Sequence, residues 1–494
     1  MAEKYDPSKP YIRCDCGECT NDLNAKKCRK GHDLTLHGSI IRPGGKGGGT
    51  IVEPPRQTPW KIIACAAVLA IAVIACVVFK PWENKKAETA DSQEEAAADV
   101  IEIPDPVLKA YIKDRLGIGD REITTADTKK LTELEFDGEN LSDEEKIHDL
   151  TGIEHFHDLK TLRLERCLIS DLSPVRDLNQ LTSLWIRYTD VSDITPLQNL
   201  TRLTSLGLQY SKITDISPLA SLTNLTKLWL CGNQIKDISA VSSMSKMESF
   251  HICENGIIDI TPLHGLNNMK ELSAFKNEIS DISSLQGMND LEKFQIYENH
   301  VEDLSPLTEM TGLKLLYAGT NEIRDLSPLK DMTQMEELRI SENKIEDLSP
   351  LAGMTGLKKL SAYTNEIRDM SPLKDMTQME ELRIYENHIE DLSPLAGMTG
   401  LKSLYAYTNE IRDLSPLAGM TGLKLLYAHQ NEISDISPLK EMTELTELDL
   451  NGNSINDISV ISGFTKLKKL WIKNNPISDY SPLDQLPDTV EITK

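Results

Sequence analysis

Asp391-Leu-Ser-Pro-Leu-Ala-Gly-Met-Thr-Gly-Leu-Lys-Ser-Leu-Tyr-Ala-Tyr-Thr-Asn-Glu-Ile-Arg412 is one 22-residue unit of this chain, and the units on either side keep its register. The leading Asp recurs at Asp171, Asp193, Asp215 and onward to Asp479, fifteen times, without an insertion or deletion. So strict a period specifies a solenoid, in which each unit buries its apolar side against its neighbours. Function then lies on a surface rather than in a closed pocket. The pattern L-x-x-L-x-L-x-x-N-x-I is carried by Leu225, Leu228, Leu230, Asn233 and Ile235.

Each slot of the unit has a physical reading. Leu228 and Leu230 alternate with outward positions, as a short strand requires, and one strand per unit stacks into a parallel sheet. Twelve consecutive units, from Asn233 to Asn475, place Asn four residues before the Asp. Both ends of that amide can bond neighbouring backbone, which predicts a ladder. Cys167, Thr189 and Ser211 occupy the slot in the first three units, and these smaller groups predict looser rungs. The Ser after Asp-Leu/Ile reads as a helix N-cap, and the Pro after it suits the first helical position. That Pro occurs in twelve of fifteen units, with Ala240, Ser284 and Val460 as the exceptions. The column Glu302, Arg324, Glu346, Arg368, Glu390, Arg412 alternates in sign and predicts a self-paired ion ladder. It also exposes a 44-residue double period: 325–368 and 369–412 differ at five positions, a sign of tandem duplication. Two of these, Ser341 against Tyr385 and Ser361 against Tyr405, fall on the outward strand face.

Before the repeats, Ile103-Pro-Asp-Pro106 leads into Val107, Leu108, Tyr111, Ile112 and Leu116 at helical spacing, with Gly117 as the stop. Leu131-x-x-Leu134-x-Phe136 reads as an irregular first rung, since Leu134 to Leu162 spans 28 residues, six more than the period. An open solenoid end needs such a cap. This cap, followed by 22-residue units with Asp-Leu/Ile-Ser-Pro-Leu, resembles the internalin-type leucine-rich repeat proteins of Gram-positive bacteria over residues 101–494. The resemblance implies an α/β solenoid: a horseshoe with a parallel sheet on its concave face and short helices or 3-10 turns on its convex side. It also implies a binding role. Three departures bear on that role: a membrane anchor placed N-terminally, no evident immunoglobulin-like segment after the repeats, and no C-terminal sorting signal. They turn the expectation from host-cell invasion towards a tethered surface binder.

The anchor is the run Ile62 to Phe79, eighteen apolar residues without a charge. As a helix it covers about 27 Å, close to the hydrocarbon thickness of a bilayer. Trp60 and Trp82 bracket it, with Lys61 and Lys80 beside them. Flanking linkers leave a soluble helix nothing to pack on, and some sixty hydrophilic residues precede the run, which argues against a cleaved signal peptide. Basic residues barely decide orientation: four precede the span within twenty residues and three follow it. Four cysteines in the first 28 residues favour a reducing cytosol for the N-terminus. The segment Arg13-Cys-Asp-Cys-Gly17 with Lys27-Cys28-Arg-Lys-Gly-His32 looks like a small zinc ribbon. It offers Cys14, Cys16, Cys19, Cys28 and His32 to a structural zinc, although Cys28-x-x-x-His32 stands where C-x-x-C is usual. The expected organisation is 1–37 Cys/His segment, 38–60 linker, 61–80 transmembrane helix, 81–100 acidic linker, 101–148 cap and 149–494 repeats. The expected location is the cell membrane, single-pass, with the repeats extracellular.

Composition excludes one partner class. With 53 basic against 77 acidic side chains, the formal net charge of −24 argues against nucleic acid. No catalytic constellation stands out, because paired carboxylates recur with the period, and Gly44-Gly-Lys-Gly-Gly-Gly49 lacks the strand and helix of a phosphate loop. An enzyme is not expected. The outward strand slots instead collect Trp185, Trp229, Phe275, Tyr297, Tyr317, Tyr363, Tyr385, Tyr405, Tyr407, Tyr427 and Trp471, with Arg339 and Arg383 among them. Only 5% of the chain is aromatic, so the clustering is not compositional noise. Such rings either anchor a protein or glycan ligand or pack on each other along the sheet. Cys231 and Cys253 share one slot on adjacent rungs near His251; ordinary surface residues are the favoured reading, ahead of a disulfide or a metal site. Two functions fit: an adhesion-type surface binder, or an envelope-signalling protein whose zinc ribbon recruits a cytosolic partner.

Overall fold

The computed structural model describes residues 99–494 and, before them, the backbone of three short strands. The chain divides into two units, Met1–Gln93 and Glu94–Lys494. In the first, β1 (Tyr11–Cys14) pairs antiparallel with β2 (Cys19–Thr20) on one side and β3 (Gly38–Ile41) on the other. The register sets Arg13 opposite Cys19 and Cys14 opposite Gly38. The expected span 61–80 and the remaining proposed zinc ligands, Cys16, Cys28 and His32, lie outside the described residues. Among the described residues no helix is long and apolar enough to cross a membrane.

The second unit opens with the expected helix, Pro106–Leu116, ended by Gly117 at φ 63°. A left-handed stop is natural for glycine, which lacks the Cβ that would clash. Asp105 joins the cap to the solenoid. One carboxylate oxygen accepts from Val107 N and Leu108 N at 2.9 Å. The other accepts from His148 N at 2.7 Å and Asp149 N at 3.0 Å in the first turn region. Tyr111 packs edge-on to Phe136 of β4 (Glu133–Asp137).

From β4 to β20 (Glu491–Thr493), seventeen parallel strands follow in sequence order. Every strand pairs with its sequence neighbour, and β4 and β20 each pair on one side among the described residues, so the sheet is open. Leu134 stands opposite Leu162, which confirms the 28-residue first step. Later rungs keep the 22-residue register, as Leu404 opposite Leu426 does. The inward leucines, isoleucines and methionines form one continuous buried core from the cap to the last rung.

The Asn ladder forms. Asn387 Oδ1 accepts from Ile367 N of the preceding rung at 3.1 Å, while its Nδ2 donates to Ala362 O and Ile384 O at 3.0 and 3.1 Å. In the early rungs Cys167 Sγ donates to Glu165 O at 3.5 Å, and Thr189 and Ser211 bond each other at 3.1 Å. Burial pushes the Cys167 thiol up to about 12.

Two expectations are corrected. The repeat Ser is not the acceptor that caps the turn. Ser305 N and Ser305 Oγ both donate to the Asp303 carboxylate at 2.7 Å, at the start of the 3-10 turn Ser305–Leu307. A carboxylate two residues back reaches both donors at once, and the following Pro306 has no N–H to satisfy. The repeating Asp is therefore the cap. The ion ladder is also displaced. In the column from Glu302 to Arg412, Arg412 lies 3.9 Å from Glu390 and closer, at 2.7 Å, to Glu432 outside the column. The pairs form just before each strand instead: Glu248–Lys270, Glu292–Lys314, Glu336–Lys358 and Glu380–Lys402, at 2.6–3.1 Å. There the rungs are tied backbone to backbone, as Lys270 N to Glu248 O at 2.8 Å, which fixes the side-chain separation. The pairs again mark the 44-residue block.

Candidate functional site

Each rung turns three side chains outward around its inward pair, as Ser403, Tyr405 and Tyr407 flank Leu404 and Ala406. All three tryptophans of the repeats occupy the middle slot. The structure brings the sequence-derived aromatics together as stacks that run across the rungs. Tyr363, Tyr385, Tyr407 and His429 form one run, with successive ring centroids 4.3, 4.1 and 4.2 Å apart and planes within 8–13° of parallel. Tyr405 stacks on Tyr427 at 5.1 Å, and Tyr427 meets Trp471 at 6.1 Å across Asp449. Phe275 and Tyr297 stack at 4.3 Å. The consequence is burial: Tyr385 is only 9% exposed, and the other rings are half-buried.

Charge is threaded between the rings. The Arg339 guanidinium lies 4.1 Å from the centre of Tyr317 and bonds Glu337, which also accepts from Tyr317 Oη at 2.9 Å. Arg383 lies 4.8 Å from the centre of Tyr405 and bonds Glu381 at 2.6 Å. Burial opposes the Arg383 charge, but Glu381 and Tyr405 outweigh it and raise its pKa. Burial, and then the Glu447 carboxylate it donates to, push the Tyr427 hydroxyl well above the ordinary range. These groups are held in place before any ligand arrives.

The cysteine reading is corrected. Cys231 and Cys253 are bonded, with Cα atoms 4.5 Å apart, and both are buried. Cysteines in one outward slot of adjacent rungs face each other directly, so the strand spacing itself brings the sulfurs together. Beside them Trp229 stacks on His251 at 4.6 Å.

Trp185 and Trp229 stand apart from the tyrosine run and meet edge to face at 5.0 Å across Gly207. A Cβ on Gly207 would lie 2.1 Å from the Trp185 ring, so glycine is required there. Sequence reasoning missed the groups around this pair: Arg163, Arg187, Gln209, Tyr188 and Tyr210. The last two occupy the slot after the strand, where the backbone is left-handed on successive rungs (φ 55° and 53°). Reading that column as well as the three strand slots reveals them. Among the described residues no group of three or more His, Cys, Asp or Glu side chains could hold a metal ion.

The family model described as Leucine Rich repeats (2 copies) matches residues 179–221, 201–243, 377–419, 421–463 and 443–485. No curated protein matches the chain by sequence. Among solved structures, an internalin (inlF) from Listeria monocytogenes is similar at 31% identity over 79% of this chain and 94% of that chain, with a TM-score of 0.45. A leucine-rich-repeat protein of Leptospira interrogans is similar at 18% identity, 75% and 97% coverage and a TM-score of 0.66. The functional domain of InlJ from Listeria monocytogenes, which includes a cysteine ladder, is similar at 21% identity, 74% and 79% coverage and a TM-score of 0.60. The last two share the solenoid fold.

Proposed function

The chain is a leucine-rich-repeat protein, and from that premise we propose that it is a non-enzymatic, membrane-anchored binder whose sheet face takes a protein ligand outside the cell. The observation that carries this reading is the run Tyr363–Tyr385–Tyr407–His429 beside Arg383, Tyr405 and Tyr427. Rings fixed by stacking lose little freedom on binding, which is what makes aromatic and arginine side chains effective anchors. The stacking also favours protein over glycan. A sugar packs on an open ring face, and here the faces of successive rings are turned to each other, leaving edges and polar tips for a partner.

The disulfide supports placing the repeats outside, since such bonds persist in oxidising compartments. Residues 61–80 would span the membrane and leave the cysteine-rich N-terminus in the cytosol. There a structural zinc would hold that segment together, with Cys14, Cys16, Cys19, Cys28 and His32 as the candidate ligands. The backbone pairing that brings the strands of Cys14 and Cys19 side by side fits a thiolate site. The same separate N-terminal sheet favours, as a second reading, a signalling protein with a cytosolic partner; deleting residues 1–37 should spare adhesion and abolish signalling.

The test is binding of the full chain to target cells or matrix with Tyr385, Tyr405, Tyr407 and Tyr427 all changed to Ala. We expect at least about a tenfold loss, protease sensitivity of the target and indifference to glycosidase treatment. Undiminished binding by a folded variant removes the assignment of this face.

A further inference from the structure

We propose that the sheet face takes a tyrosine side chain of its protein ligand into a gap in the aromatic ladder, over Gly319 and Ser341. The inference rests on the protein-binding reading above and names a group of the ligand that this reading leaves open.

The ladder runs in the third outward slot of the rungs. Phe275 and Tyr297 stack at 4.3 Å, and Tyr363, Tyr385, Tyr407 and His429 follow one another at 4.1–4.3 Å. Between the two stacks the same slot holds Gly319 and Ser341. At the ring spacing of the flanking stacks, two rungs leave room for two rings. Elsewhere on the face a neighbour fills the place of a missing side chain. A Cβ on Gly207 would lie 2.1 Å from the Trp185 ring, and one on Gly232 2.2 Å from the Tyr210 ring. At Gly319 the nearest atoms to such a Cβ are backbone atoms of Ser341, at 3.1, 3.6 and 3.9 Å. The flanking side chains are engaged to either side of the gap. Tyr317 Oη and the Arg339 guanidinium both bond Glu337, at the opposite end of the strand from Ser341. Thr320 Oγ1 donates to Glu342 Oε2 at 3.3 Å, one column beyond the gap.

Two observations select a tyrosine. The first is the internal duplicate. Blocks 325–368 and 369–412 differ at five positions, and Tyr385 stands where the first block has Ser341. Strand pairing is the same in both, with Leu338 opposite Leu360 and Leu382 opposite Leu404. In the second block this frame holds the Tyr385 ring between Tyr363 and Tyr407, at 4.3 and 4.1 Å. The first block keeps the frame for a stacked ring and lacks the ring. A ring supplied by a partner gains stacking there beyond the area it buries.

The second is the Ser341 hydroxyl. Ser341 occupies an outward slot, so its hydroxyl faces the gap, at whose floor the residue is 5% exposed. Its carbonyl accepts from Thr320 N at 2.8 Å and from Asn343 Nδ2 at 3.1 Å, whereas its hydroxyl has no hydrogen-bond partner among the described residues. Unlike the hydroxyl of Ser284, it is not sealed from solvent. A hydroxyl at the floor of a gap is best served by a partner that brings its own polar tip. The phenol of an entering tyrosine leads the side chain, and it can both donate and accept. Phenylalanine stacks but lacks that group, and leucine offers neither.

The test titrates the full chain with N-acetyl-tyrosinamide, its phenylalanine and leucine counterparts and a chito-oligosaccharide, read by saturation-transfer NMR. The tyrosine amide should bind, the phenylalanine amide at least about threefold more weakly, and the leucine amide and the saccharide more weakly still. S341A should abolish the preference for tyrosine over phenylalanine. S341Y, which copies Tyr385, and G319Y/S341Y, which completes the ladder, should each cost at least about tenfold without lowering the melting midpoint. G319Y/S341Y should also weaken binding to target cells or matrix by at least about tenfold. No binding by the folded wild type, equal or tighter binding of leucine or saccharide, a tyrosine preference that survives S341A, or undiminished binding by folded G319Y/S341Y each overturns the proposal. The two readings fail separately. If the four Tyr-to-Ala changes abolish cell binding and G319Y/S341Y spares it, the gap is excluded and the tyrosine face stands. If those four changes spare cell binding, the face is excluded and the amide titration still decides the gap.

Discussion

Asn387 shows how one residue type serves two rungs. Its amide accepts one backbone N–H of the preceding rung and donates to carbonyls of both. Asn387→Ala removes the only acceptor shown for Ile367 N and strips two carbonyls of a donor in a buried site. An unsatisfied buried group costs about 1–3 kcal/mol. The expected outcome is a lowered thermal midpoint and faster amide exchange in the rungs from 362 to 389, and an unchanged midpoint would remove the ladder from the account. The residue scale is also where sequence reading succeeded most fully for structure and least for surface. The Asn, Leu and Pro slots were legible because fixed period and side-chain chemistry leave one use for each. The capping role went to Ser rather than Asp because both residues carry the right oxygen, and only distance decides between them. The disulfide was underweighted for a similar reason: two cysteines in one slot mark proximity, while bonding depends on how far apart the rungs stand.

At the level of elements, the fifth and sixth strands of the parallel sheet, Lys227–Trp229 and Ser249–His251, are joined by stacking, backbone bonds and the Cys231–Cys253 disulfide. A cross-link closing a loop of this length is worth about 3 kcal/mol in the chain-entropy model. C231S/C253S should therefore melt lower than wild type under non-reducing conditions and match it in reductant. In the native repeats, alkylation should label no cysteine: two sulfurs are bonded, and Cys167 is buried with its thiol pushed up to about 12. Rapid labelling of Cys231 or Cys253 in unreduced protein would contradict the bond. Elements also explain how far the aromatic slots are open to solvent. The outward slots were identified correctly, but outward does not mean exposed. Neighbouring parallel strands set rings of equal slot face to face at 4.1–5.1 Å, and each ring shields the next. The exposed pair, Tyr188 and Tyr210, sits one residue beyond the third outward slot, where a pattern read only on those slots does not look.

Over the whole molecule, charge separates face from frame. The formal net charge is −24, yet the sheet face interleaves Arg163, Arg187, Arg339 and Arg383 with its carboxylates and is close to balanced. The acidic excess lies on the loops and turns, where the Asp column faces solvent. Such a distribution keeps a long solenoid soluble while leaving one face suited to a protein partner. Solenoid, cap and register were legible because quasi-one-dimensional folds repeat each instruction many times. The choice among ligands was not, because the positions that recognise a partner are those the period leaves free. The central claim, that this face is displayed outside the cell, is tested most directly by shaving intact cells with protease and probing with antibodies to residues 1–37 and to the repeats. The account predicts that the repeats are removed while the N-terminal epitope stays protected until lysis. Protected repeats with a cleaved N-terminus would contradict it and place the sheet face, and any partner it binds, on the cytosolic side.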